Sequence, residues 1–167
     1  METKKIARMG MLVAVAFVLS WLEAMLPLQV GIPGVKLGLS NIVVMLCLYS
    51  CSVKESLGIA LLRIVLVGFT FGSLSTMLYS MAGGMLSFVI MVLLKRTDKF
   101  SVYGVSVAGG VCHNIGQILV ALAVLHTSKL IYYLPVLMLS GCVAGVLIGF
   151  VAGALIKRLE HLFREDS

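Results

Sequence analysis

Three side chains able to donate and accept hydrogen bonds stand close together in SVAGGVCHNIGQILVALAVL, namely His113, Asn114 and Gln117. On a helix, positions 113 and 117 are one turn apart and 114 and 117 nearly so, which places all three on one broad face. Such a trio can grip a small ligand, or its members can bond one another and lock neighbouring helices together. Both readings stand on the sequence, with ligand binding preferred.

Other candidates share the same chemistry. Arg63 is the only charge in the long apolar run from Leu57 to Leu94. Lys36 and Asn41 lie in GVKLGLSN, and Tyr79 with the glycines of SMAGGM could flank them. Together Lys36, Asn41, Arg63, Tyr79, His113, Asn114 and Gln117 are the candidate substrate-binding residues. Their pocket would be richer in donors and positive charge than in carboxylates. It suits a small molecule with a carboxylate or phosphate on an apolar body.

Other chemistries are missing. No GxxxxGK[ST] loop is present to drive a motor, and no HExxH supplies a hydrolytic metal. The two aspartates, Asp98 and Asp166, stand far apart, whereas a prenyl diphosphate synthase needs clustered carboxylates to hold its magnesium ions. Neither catalysis nor a cofactor nor a resident metal is expected. Cys47, Cys51, Cys112 and Cys142 form no CxxC pair and read as small apolar helix residues.

The elements that position these residues follow from composition. Of 167 residues 60% are hydrophobic and only 12% charged, and mean hydropathy is +1.12. Soluble domains carry about 25% charge, so the chain is expected to be an all-α integral membrane protein with residues 1–167 forming a single transmembrane domain. Crossing the hydrocarbon takes about 20 helical residues. Apolar runs at 9–26, a short 37–49, a 57–94 stretch broken at Gly72-Ser73, then 101–125 and 130–156 predict a six-transmembrane-helix bundle. No small-x-small cleavage site follows the first run, which is read as retained.

Ten of the thirteen Lys and Arg residues fall at the N-terminus, in loops 50–56 and 95–100, and in the C-terminal tail. The other side holds only Lys36 and Lys129, so both the N and C termini should be cytoplasmic. The net charge of +6 thus reflects topology rather than a nucleic-acid partner. By helical rise, the His-Asn-Gln cluster lies roughly 18–24 Å in from the basic side and Arg63 roughly 10 Å. Glu23 is the acid best placed to meet Arg63, although their depths differ by a turn or more.

Gly141, Gly145, Gly149 and Gly153 recur every four residues in the last run. The stripe is bare of side chains and admits close approach of a helix, from this chain or from a partner subunit. Gly10 and Ala14 make a weaker pair of the same kind.

PGVKLGLSN (33–41), LLRIVLVGFTFGS (61–73), YSMAGG (79–84) and VAGGVCHNIGQ (107–117) resemble a bacterial membrane family, heptaprenyl diphosphate synthase component I, also called the Gx transporter family. The resemblance covers nearly the whole chain and implies a link to the prenyl tail of menaquinone. The six-helix size is also similar to the S components of energy-coupling factor (ECF) importers. That likeness implies an extracytoplasmic ligand pocket, an ECF-type coupling subunit and two ATPases. The leading expectation is therefore a substrate-binding subunit of an importer in the bacterial cytoplasmic membrane, its ligand a vitamin-like or isoprenoid/quinone-precursor molecule. The chief rival is a non-catalytic membrane partner of a soluble prenyl diphosphate synthase. A lone proton-coupled transporter with His113 as relay is third.

Overall fold

The computed structural model describes residues 2–25 and 38–164. Among them the order is α1 (Glu2–Met25), α2 (Asn41–Ser50), α3 (Val53–Thr70), α4 (Leu74–Arg96), α5 (Val102–Leu125), a 3-10 turn (Ser128–Tyr133) and α6 (Leu134–Arg164). The expected break at Gly72-Ser73 is present. There Ser73 caps α4, accepting from the Thr76 N–H, while the Thr76 hydroxyl accepts from the Ser73 N–H. The Ser52 and Glu55 pair does the same for α3. Ser101 caps α5 through the Gly104 N–H.

Several boundaries differ from the sequence reading: α1 begins at Glu2 and α3 at Val53, ahead of the expected 9 and 57. The second run begins as a helix only at Asn41, because Gly38 adopts a left-handed φ of 71° and Leu39-Ser40 form a turn. The last helix starts later and continues to Arg164, since KRLEHLFR consists largely of good helix formers.

Helices α1, α4, α5 and most of α6 are long and apolar enough to cross a membrane. Their outer faces carry large apolar side chains such as Leu74, 70% exposed, and Phe150, 66% exposed. Exposure of that kind over a whole bundle fits hydrocarbon and not water. Two helix hydroxyls bond locally: Ser20 of α1 donates to the Ala16 carbonyl and Thr70 of α3 to the Leu66 carbonyl, each one turn back.

Helix α2 differs from the rest. Its sequence NIVVMLCLYS is apolar on every side, and Val43 through Leu48 are all buried, as expected for a helix surrounded by others. Val44, Met45 and Leu48 join a core with Ala60, Phe88, Met91, Val105 and Ile148. Val43, Leu46 and Cys47 join a second core with Leu12, Ala16 and Ile59.

Ten residues span only about 15 Å, half the hydrocarbon thickness. The C-terminal end of α2 lies with the basic residues. There the Lys95 ammonium donates to the Leu48 carbonyl and sits 5.0 Å from the centre of the Tyr49 ring. Lys5 pairs with Glu55, and Tyr103 packs beside Gly149 and Gly153. These contacts gather the start of α1, the ends of α2, α4 and α6, and the starts of α3 and α5 at one end of the bundle. The other end of α2 therefore stops near mid-depth.

The glycine stripe of α6 faces this chain's own α5. A methyl at Gly145 would stand 2.6 Å from Val107 Cα, and one at Gly141 2.8 Å from the Gly110 carbonyl oxygen. The pair is in contact backbone to backbone. Gly10 has nothing within 4 Å of the corresponding position and Ala14 is exposed, so that pair meets no helix among the described residues.

Candidate functional site

At the head of α2, Ser40 occupies the position where a serine hydroxyl normally accepts from the new helix's N–H groups. Here it makes no such cap. Its hydroxyl instead accepts a hydrogen bond from the Arg63 guanidinium of α3, while the other terminal nitrogen of Arg63 reaches Asn41 Oδ1 at 3.4 Å. The first N–H groups of α2 are taken up by short turns: Asn41 N–H to Gly38 O at 2.8 Å, Ile42 to Leu39 and Val43 to Ser40. The helix start thus contributes the positive end of its dipole rather than free donors.

Glu23, at the far end of α1, accepts from the Gly38 N–H. Its charge also acts favourably on Arg63. So the expected Arg63–Glu23 relation takes an indirect form. The carboxylate pins the turn before α2, and that turn's Ser40 holds the arginine. Gly38 is required there, because a methyl at its left-handed position would also press on the Asn41 amide at 2.9 Å.

One group in this network remains unused. The Arg63 Nε–H is buried and has no hydrogen-bond partner among the described residues. A buried donor left unpaired costs about 1–3 kcal/mol, more for a charged group. An acceptor placed beside it by a ligand would recover that loss.

The other candidates are arranged differently. Asn114 is buried, and its amide donates to the Leu137 carbonyl of α6 at 2.6 Å. His113 and Gln117 turn to α4, where a methyl on Gly83 would meet the His113 carbonyl oxygen at 2.6 Å and Gln117 Cγ at 2.9 Å. The trio is thus divided between two helix contacts. The adjacent Gly84 faces α3, where its methyl would meet Ile64 Cδ1, so α4 lies between α3 and α5 at this level. Tyr79, half-buried, is one turn before Gly83. Lys36 lies outside the described residues.

The structure therefore brings Asn41 to Arg63 and adds Ser40, Gly38 and Glu23. Sequence reasoning passed over Ser40 because a Ser-Asn pair before an apolar run reads as an ordinary helix start. The available signal was the shortness of that run. A hydrophobic segment too short to span is itself a pointer to a site at mid-depth.

An apolar-skinned helical bundle with a charged network in its interior and most of its basic residues at one end is a multi-pass membrane protein. The chain belongs to the heptaprenyl diphosphate synthase component I family, matching it over residues 12–155. Neither a curated protein nor a solved structure gives a significant match.

Proposed function

We propose that the chain is the substrate-binding membrane subunit of a small-molecule importer in the bacterial cytoplasmic membrane, with six spans and both termini in the cytoplasm. Its ligand is a small apolar molecule with a carboxylate or phosphate head, of the vitamin-like or isoprenoid/quinone-precursor class. The observation that carries this reading is the buried Arg63 Nε–H, without a hydrogen-bond partner among the described residues, at the head of a half-span. Non-helical backbone at membrane depth is tolerated only where it is enclosed by protein or lines a cavity. A half-helix whose N-terminus lies at mid-depth is a recurrent way to meet an anionic group.

In this reading the chain catalyses nothing. Import would be driven by a separate coupling subunit and ATPases of the ECF type, for which exposed Gly10 and Ala14 on α1 offer a bare helix face.

The test is native mass spectrometry of protein purified in mild detergent. Wild type should release a retained anion-headed molecule. Asn114→Ala, which removes only the tie to α6, should keep it, and Arg63→Gln should lose it. Arg63→Lys, retaining charge without the Nε–H, should bind at least tenfold more weakly. Retention by Arg63→Gln, or no bound molecule under any extraction condition, would sink the proposal.

A second reading is favoured by the family description itself. In it the chain is a non-catalytic membrane component that holds a soluble prenyl diphosphate synthase near the bilayer. The end carrying Lys5, Lys54, Lys95, Arg96 and Lys99 is then the docking face. A pull-down of the synthase that fails when Lys54, Arg96 and Lys99 are replaced by Gln would favour it.

A further inference from the structure

The charges around Arg63 are balanced in a way that favours one kind of anion over another. Helices α1 to α6 carry all their other Lys and Arg residues at the basic end of the bundle. Glu23 enters the same network through the Gly38 N–H, two residues before Ser40, and its charge acts on Arg63. The two formal charges cancel. What is left over is the positive end of the α2 dipole, about half a charge.

The free donors form an edge. Nη1 of Arg63 meets Ser40 Oγ and Nη2 reaches Asn41 Oδ1, so residues 40 and 41 occupy the end of the planar fork. Nε–H lies along its side, next to a hydrogen of Nη2. This Nε–H is buried and lacks a hydrogen-bond partner among the described residues. Two oxygens on one atom match such an edge, each accepting one N–H.

Taking Arg63 as the ligand-binding group of the proposed importer, we propose that the ligand is a monocarboxylate held side-on by Nε–H and Nη2. Glu23 is the specificity-determining residue that turns away phosphate and diphosphate esters. A phosphate could form the same two hydrogen bonds, so shape does not decide between them. Charge does. A bound carboxylate leaves the site about half a charge negative. A phosphate monoester carries about −1.5 to −2 and leaves a full charge or more without a counter-ion, which is costly away from water. An uncharged carbonyl offers a single acceptor and leaves the dipole end unanswered.

The experiment uses the full chain in detergent. The molecule released in native mass spectrometry is fragmented: loss of carbon dioxide marks a carboxylate, a phosphate ion marks a phosphate ester. Benzoate and phenyl phosphate, which share one ring, are also titrated at about pH 8 into wild type, Glu23→Gln and Arg63→Lys, with affinity read from the rise in Tm. Wild type should prefer benzoate at least about tenfold, and Arg63→Lys should lose that binding. Glu23→Gln, which keeps an oxygen for the Gly38 N–H, should narrow the preference several-fold. A released phosphate ester, or phenyl phosphate bound by wild type as tightly as benzoate, would overturn the assignment and leave the importer reading standing. An unchanged preference in folded Glu23→Gln would overturn it too. No released molecule and no response to either probe would remove the importer reading itself.

Discussion

Replacing the four glycines of α6 by alanine, one at a time, tests how α5 and α6 meet. A methyl at Gly145 would stand 2.6 Å from Val107 Cα, at Gly141 2.8 Å from the Gly110 carbonyl oxygen, and at Gly149 3.0 Å from Ser106 Cβ. At Gly153 nothing comes nearer than 3.7 Å. Comfortable carbon–carbon contact begins at about 3.5 Å, so Gly145 is short by nearly 1 Å against backbone that cannot rotate away. Overpacking of this kind costs about 1–3 kcal/mol, and the better helix propensity of alanine returns up to about 1 kcal/mol.

The net expectation is a loss of about 1–2 kcal/mol for Gly145→Ala and Gly141→Ala, about 0–1 for Gly149→Ala, and no loss or a small gain for Gly153→Ala. The assay is unfolding in mixed micelles with rising SDS, followed by the fluorescence of Trp21, the single tryptophan. Four equal losses, or Gly153→Ala as damaging as Gly145→Ala, would refute backbone contact as the basis of this packing.

Asn114→Ala removes the bond to the Leu137 carbonyl and should cost about 0.6 kcal/mol, and at most about 1.7, in the same titration, the mean and maximum for hydrogen bonds between membrane helices; no measurable loss would show the bond to be dispensable. At the basic end, the bond from Lys5 holds the Glu55 carboxyl below its ordinary 4.5. A depressed folded value adds stability that is complete above the unfolded value and is lost as pH falls through the folded one. Tm should therefore drop as pH falls below the ordinary carboxylate range, less steeply in Glu55→Gln. Lys5 is 55% exposed, so the contribution stays below about 1 kcal/mol and shrinks in high salt. An identical pH profile for Glu55→Gln would remove this pair from the account.

What could be read in the sequence was whatever repeats along one helix or punctuates it. The four-residue glycine step, the capping serine after Gly72 and the shortness of the second run are all local signals. The depth of Arg63 also follows from rise per residue. What escaped depends on which neighbour a face meets. Rotation of about 100° per residue places His113 and Asn114 on adjoining parts of one face, yet only packing decides that the first meets α4 and the second α6. Asn41 and Arg63 are 22 residues apart, and no periodicity couples them. The Glu23 relation was obscured because depth was counted along helices, whereas the link runs through the non-helical turn at Gly38 to Ser40.

Helix α2 and its neighbour α3 are poor candidates for insertion into a bilayer one at a time. The first is too short to cross, and the second carries Lys54, Glu55 and Arg63, each of which costs more the nearer it lies to the hydrocarbon centre. The two leave the ribosome as one hairpin, joined by only Cys51 and Ser52. Biogenesis of this chain is therefore an ordered assembly: α1 enters first, and the hairpin settles only when later helices close around it. A polypeptide truncated before α6 would lack the wall that packs on Val44 and Leu48.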